Sequence, residues 1–154
     1  MNNQTDKKEI VVSVSGGFDP IHPGHIRLFK EAKSLGDKLV VILNNDNWLR
    51  LKKGFVFMSE NERKEILMAI AEVDDVYITQ HEPNTAKIDC CDAIAAVKPD
   101  IFCNGGDRHQ REVPEAKTCR EIGCEMIDNV GDGGKIASSS ELVRNAMAQI
   151  SQLS

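Results

Sequence analysis

Ser15-Gly16-Gly17-Phe18-Asp19-Pro20-Ile21-His22-Pro23-Gly24-His25 is the stretch whose reading decides the fold. Ile10-Val11-Val12 and Val14 run into it as an apolar segment of strand length. Gly16-Gly17 interrupt that segment, and beyond Pro23-Gly24 the pattern turns helical, with Ile26, Leu28-Phe29, Ala32 and Leu35 on one face. His22 and His25 therefore fall at a strand-to-helix junction. In a parallel α/β fold such junctions lie at the carboxyl edge of the sheet, where ligands bind. The helix N-terminus there offers unpaired N–H groups and partial positive charge, both suited to phosphate. Glycines let the backbone approach a phosphate closely, and an imidazole can donate a hydrogen bond to its oxygens. Two imidazoles three residues apart, across the first helical turn, point to one phosphate site rather than to isolated caps.

The rest of the chain repeats the alternation of strand and helix. Further strands are expected at Leu39–Leu43, Val76–Ile78, Ile101–Cys103 and Glu125–Ile127. Ser59 followed by Glu62 is a capping box that opens a helix carrying Ile66-Leu67, Ile70 and Val73. Ile88, Cys91, Ile94 and Ala95 form a helix face ending before Pro99, and Val113 to Ile122 forms another, closed by Gly123. Between the second strand and Ser59, the polar stretch Asn44 to Met58 reads as a long connection, of the kind that often carries function. Asn104-Gly105-Gly106-Asp107 is a second glycine turn after a strand. Gly131 to Gly134 reads as a flexible loop, and Ser138-Ser139-Ser140 leads a last helix. This order implies an α/β fold, a doubly wound parallel sheet with helices on both faces. The three glycine- or serine-rich junctions should meet at one sheet edge.

Composition fits one domain. The chain has 154 residues, 41% hydrophobic and 28% charged, with a net charge of −5. Residues 1–9 read as a flexible polar tail ahead of a single domain spanning 10–154. No concentrated basic patch points to a nucleic-acid polymer, and no apolar run approaches a membrane span. A cytoplasmic protein is the expectation. The five cysteines lack a Cys-x-x-Cys pair and are odd in number, which argues for buried free thiols and against disulfides or zinc.

Gly17-Phe18-Asp19 followed by His22-Pro23-Gly24-His25 resembles the G-x-F-D…H-x-G-H signature of the cytidylyltransferase-like nucleotidyltransferases. The likeness extends through Leu35-Gly36-Asp37-Lys38-Leu39-Val40-Val41 and covers roughly Ile10 to Asn145. It implies a Rossmann-like five-stranded sheet of order 3-2-1-4-5. It also implies transfer of a nucleoside monophosphate from an NTP to a small phosphorylated acceptor, by direct attack on the α-phosphorus with loss of pyrophosphate.

By the same resemblance His22, His25 and Lys53 are the catalytic groups. Gly16, Gly17, Phe18, Asp19, Gly24, Asn104, Gly105, Asp107, Ser138, Ser139 and Ser140 bind nucleotide, and Arg50 and Arg63 reach substrate. Arg63 has an equal claim to a structural role. Mg²⁺ is implied as cofactor, held largely by the nucleotide phosphates without dedicated protein ligands. Family members are often dimers, so a homodimer is carried as an expectation.

For specificity, Pro99 to Asp107 and the Asn44–Gly54 run resemble the heptose-phosphate adenylyltransferase branch, which favours ATP and a sugar phosphate. CTP with glycerol phosphate or another polyol or amino-alcohol phosphate is the alternative, although the arginine of that branch's R-T-x-G-I-S-T-T motif is missing. A nucleotide-binding regulatory module without catalysis stands further off, as does a dinucleotide-dependent oxidoreductase, because the first turn lacks Gly-x-Gly-x-x-Gly.

Overall fold

The computed structural model describes residues 6–105, 114–131 and 138–153. Asp107, the expected helix start at Val113 and most of the Gly131–Gly134 loop lie outside the described residues. Five strands form one parallel sheet of order β3-β2-β1-β4-β5, as the resemblance implied. They are β1 (Val11–Gly16), β2 (Lys38–Leu43), β3 (Asp75–Ile78), β4 (Ile101–Cys103) and β5 (Glu125–Ile127). The helices are α1 (Pro23–Ser34), α2 (Asp46–Lys53), α3 (Glu60–Met68), α4 (Cys91–Val97), α5 (Pro114–Ile122) and α6 (Ser139–Ser151).

The strands alternate their side chains between two cores, as a period of two requires. Val12, Val14, Leu39, Val41, Leu43 and Cys103 pack with Phe29 and Ala32 of α1 and Leu67 of α3. The intervening Ile42 and Phe102 pack with Ala93 and Ile94 of α4 and Cys119 of α5. Helices thus cover both faces. β1 pairs with β2 through Val12↔Leu39 and with β4 through Val12↔Ile101. Chain direction across the sheet reverses at β1, so the crevice for a ligand opens past the carboxyl ends of β1 and β4.

Two expectations about elements need correction. The Asn44–Met58 stretch is not one long loop, because Asp46–Lys53 is helical. Asn45 caps α2 by accepting from Trp48 N–H, and Gly54 ends it in the left-handed region at φ 85°. The face expected from Ile88 to Ala95 begins later, at Cys91, and Ile88 stands outside the helix. In the N-terminal tail Lys8 pairs with Asp100 at 2.9 Å. All five cysteines are free thiols, four of them buried and Cys91 partly so.

Candidate active site

The first turn of α1 is built by its two histidines. His22 is the N-cap, and its Nδ1 accepts from Gly24 N–H at 3.1 Å. His25, three residues on, accepts from the His22 backbone N–H through its own Nδ1 at 3.2 Å. This is a capping box made of imidazoles in place of the usual hydroxyl and carboxylate. The two rings stack with centroids 3.7 Å apart. Phe18 closes the other side of His25, edge to face at 4.8 Å, and rests in turn on Phe29 at 5.2 Å.

These contacts fix the protonation state. A nitrogen that accepts from a backbone N–H carries no proton, so each neutral ring holds its proton on Nε2. Burial, with Lys53 adding to it, lowers the His22 pKa. Burial, the neighbouring His22 and Lys53 push His25 down to about 3. At neutral pH both rings are neutral, each with one Nε2–H donor.

A cavity of about 330 Å³ opens beside this turn. His25, Phe18 and Lys53 stand on its wall, with Asn104 and Gly105 from the end of β4. Lys53 at the end of α2 reaches Ser140 in the first turn of α6, Nζ donating to Oγ at 3.3 Å. The three junctions expected to meet at one edge therefore do meet: Gly16-Phe18, Asn104-Gly105 and Ser140.

Other expected site residues have different work. Asp19 is buried, and its two carboxylate oxygens accept from the backbone N–H groups of Phe57 and Met58, each at 2.7 Å. It anchors the α2–α3 connection and does not face the cavity. Arg63 is 1% exposed. Its guanidinium donates to the carbonyls of Met58 at 2.9 Å, Gly17 at 2.8 Å and Asn44 at 2.6 Å, and to Asp46 at 2.8 Å. Of the two roles expected of it, bracing the fold or contacting substrate, these four partners engage the guanidinium in the first, and Arg63 does not line the cavity. Arg50 is exposed on α2 and lines none of this cavity.

The serines divide as well. Ser138 caps α6, Ser139 donates inward to the Pro20 carbonyl at 2.7 Å, and Ser140 alone of the three meets Lys53. Gly24 gives its N–H to His22. Gly16 and Gly17 are small for reasons of packing: a Cβ on Gly16 would lie 2.9 Å from the Phe18 ring, and one on Gly17 2.9 Å from Leu49.

The sequence reading missed several cavity residues. Asn44 follows β2, with its Oδ1 buried and, among the described residues, without a partner. Cys90 and the buried Glu115 close the floor, and burial pushes the Cys90 thiol well above its ordinary range. A carboxylate two residues after a valine, in the first turn of a helix, looks like an ordinary N-terminal acid, so no local signal marked Glu115. Among the described residues no group of three or more His, Cys, Asp or Glu side chains is placed to hold a metal ion, and no helix is long and apolar enough to cross a membrane.

A 3-2-1-4-5 parallel sheet carrying paired imidazoles on its central strand–helix turn defines a Rossmann-like nucleotidyltransferase. The chain belongs to the cytidylyltransferase-like family, whose model matches residues 14–146. It is 41% identical over 106 residues to the FAD synthase of Thermococcus sibiricus, covering 68% of each chain. The bifunctional protein HldE of Hyphomonas neptunium is 36% identical over 115 residues, which span 73% of this chain and 22% of that longer one. A solved structure, the lipopolysaccharide core biosynthesis protein from Thermoplasma volcanium, superposes with a TM-score of 0.65 at 29% identity, covering 82% of this chain and all of that one.

Proposed function

We propose that this enzyme transfers AMP from ATP to a small phosphorylated acceptor, with a sugar phosphate favoured, and releases pyrophosphate. The observation that carries the reading is the pair of neutral imidazoles, each left with one Nε2–H donor, beside Lys53 at the mouth of the cavity. Such a site suits displacement at phosphorus, where catalysis consists of positioning and of stabilising charge on phosphate oxygens. It holds no activated nucleophile: burial keeps the Cys90 thiol protonated. The acceptor's own phosphate oxygen attacks the α-phosphorus, and the pyrophosphate oxygen departs on the opposite side.

His25 and His22 donate to phosphate oxygens as charge builds on them, and Lys53 adds a full positive charge. Ser140, bonded to Lys53, brings the N-terminus of α6 to the same phosphates. The Asn104-Gly105 turn borders the space left for the nucleoside. The imidazole N–H groups and the lysine ammonium fit phosphate oxygens and offer no lone pair to a cation, so Mg²⁺ would be held by the triphosphate itself, where it would neutralise phosphate charge. ATP is supported by relatives named for FAD, a dinucleotide that contains AMP, and by the resemblance of Pro99–Asp107 to adenylyltransferases.

The test is pyrophosphate release with Mg²⁺, pairing ATP, CTP, GTP or UTP with aldose phosphates, polyol phosphates, amino-alcohol phosphates and riboflavin 5′-phosphate. ATP-dependent turnover is expected, falling about 10²–10³-fold in His22→Ala and in His25→Ala. Turnover with CTP alone would overturn the nucleotide assignment. No turnover with any pair, from folded protein, would leave a binding module without catalysis.

A further inference from the structure

Glu115 is a carboxylate where a phosphate-binding cavity has no evident use for one. It is 5% exposed, sits in the first turn of α5 and lines the same cavity as His25 and Lys53. One oxygen, Oε1, accepts from the Cys90 backbone N–H at 3.2 Å and from the Cys90 thiol at 3.3 Å. Cys90 Sγ in turn lies 3.6 Å from Ser15 Oγ at the end of β1, so the carboxylate is tied to the central strand. Among the described residues Glu115 makes no ion pair and no hydrogen bond through Oε2. Nor is Oε2 one of the sealed polar atoms without a partner, which are Ser13 Oγ and Asn44 Oδ1. It therefore opens on the cavity as an acceptor that none of the described residues satisfies. A ligand that displaces solvent from that oxygen has to bring hydrogen-bond donors of its own.

The surroundings say which donors. Phosphate is excluded at this end by like charge, so it belongs at the His25–Lys53 end. Glu115 also borders a second cavity, of about 370 Å³, with Trp48, Lys52, Ile88 and Asp89. Trp48 is locked there by its Nε1–H donating to the Ile88 carbonyl at 2.8 Å, and it offers a fixed apolar face. Across the two cavity walls Lys52 and Lys53 balance Asp89 and Glu115, so a neutral donor group completes the site without added charge. Hydroxyls beside an aromatic face are the chemistry of a polyhydroxylated chain or ring.

We propose that Glu115 is the specificity-determining residue for the acceptor, its Oε2 accepting hydrogen bonds from hydroxyl groups of a polyhydroxylated phosphate whose phosphate end lies at His25 and Lys53. The proposal rests on the nucleotidyl-transfer reading for which end of the ligand reacts. It does not depend on which nucleotide is used.

The experiment is isothermal titration of wild type, Glu115→Gln and Glu115→Asp with two separate probes. The first is ATP with Mg²⁺; the second is a panel of aldose 1-phosphates, alditol phosphates and ethanolamine phosphate. Gln keeps the carbonyl that accepts from Cys90, and Asp keeps the charge but withdraws it, so a folding defect in one variant leaves the other readable. Wild type should bind a hydroxyl-rich phosphate more tightly than ethanolamine phosphate. Both variants should weaken that binding by about tenfold or more, with ATP affinity unchanged within about twofold. Preference for ethanolamine phosphate, or acceptor affinity unchanged in the variants, would overturn the proposal. A parallel loss confined to ATP would also overturn it, by placing Glu115 on the nucleotide. Wild type that binds hydroxyl-rich phosphates but not ATP would sink nucleotidyl transfer while leaving the reading of Glu115 intact.

Discussion

Replacing Arg63 by Ala separates a brace from a substrate ligand. In the folded protein the guanidinium satisfies three backbone carbonyls, those of Gly17, Asn44 and Met58, and pairs with Asp46. These acceptors belong to the β1–α1 turn, the end of β2, the α2–α3 connection and the start of α2. Truncation leaves them around a void. Breaking a buried ion pair from one side costs about 3–5 kcal/mol, and each stranded buried acceptor adds to that unless water enters. Against a typical total of about 5–15 kcal/mol this is a large fraction. For a chain of this length about 1 kcal/mol moves the melting temperature by about 2–4 °C, so a drop of about 6–20 °C is expected. The assay is thermal unfolding followed by circular dichroism, with KM for the acceptor measured well below the new midpoint. Arg63→Lys, which retains charge but not the fork of donors, should fall between. A melting temperature within about 2 °C of wild type, joined to a large rise in acceptor KM, would refute the reasoning and return Arg63 to the substrate.

Three further outcomes follow from the histidine turn. His25 has a folded pKa of about 3 against an ordinary 6.5, so between those values the unfolded chain binds a proton that the folded chain refuses. Its contribution to stability is therefore lost as pH falls from about 6.5 towards 3, at about 1.4 kcal/mol per pH unit; urea midpoints should show a steeper acid loss in wild type than in His25→Asn, and identical profiles would contradict the assignment. Lys53→Met removes one of the charges that lower both imidazole pKa values, so ring-nitrogen NMR titrations should move upward, with His25 still below 6.5 because burial is its largest cause. Gly16→Ala should push the Phe18 ring against His25 and cost about 1–3 kcal/mol, whereas Gly105→Ala, with nothing within 4 Å of the added carbon, should be close to neutral in chemical denaturation.

The strands were legible because each buried strand is a short apolar run bounded by turn residues, and the edge they share followed from their alternation with helices. The histidine turn was legible for the same reason: Pro23 and Gly24 mark a helix start whatever the ligand. Helix α2 was obscured by composition. Trp48 and Leu49 are its buried residues, while Leu51 faces outward among lysines, so no apolar stripe stands out. Its caps, Asn45 and Gly54, were the usable signals. Asp19 and Arg63 were placed at the site because they neighbour it in sequence or motif. Apart from Asp46, their partners are backbone N–H and carbonyl groups, most of them in segments well apart along the chain, and backbone groups leave no mark in a residue string. Gly16 and Gly17 illustrate the converse: the residue type was informative, but the atoms that fill the missing side-chain space are the protein's own. Glu115 and Cys90 meet only after folding, from helices on the face opposite α1.

The imidazole capping box has a consequence for which substitutions this turn can absorb. His22→Asn keeps an acceptor for the Gly24 N–H, and asparagine is a good N-cap, but its amide is too short to present a donor where the far ring nitrogen stands. His22→Lys keeps reach and a donor, and adds a charge the neutral ring lacks, but it has no acceptor at all, so the helix start loses its closure. Only an imidazole accepts at one end and donates at the other across a rigid five-membered ring. The turn thus ties helix closure and phosphate donation to one ring: asparagine would keep the first and lose the second, lysine would keep a donor and lose the closure, and the imidazole holds both at once.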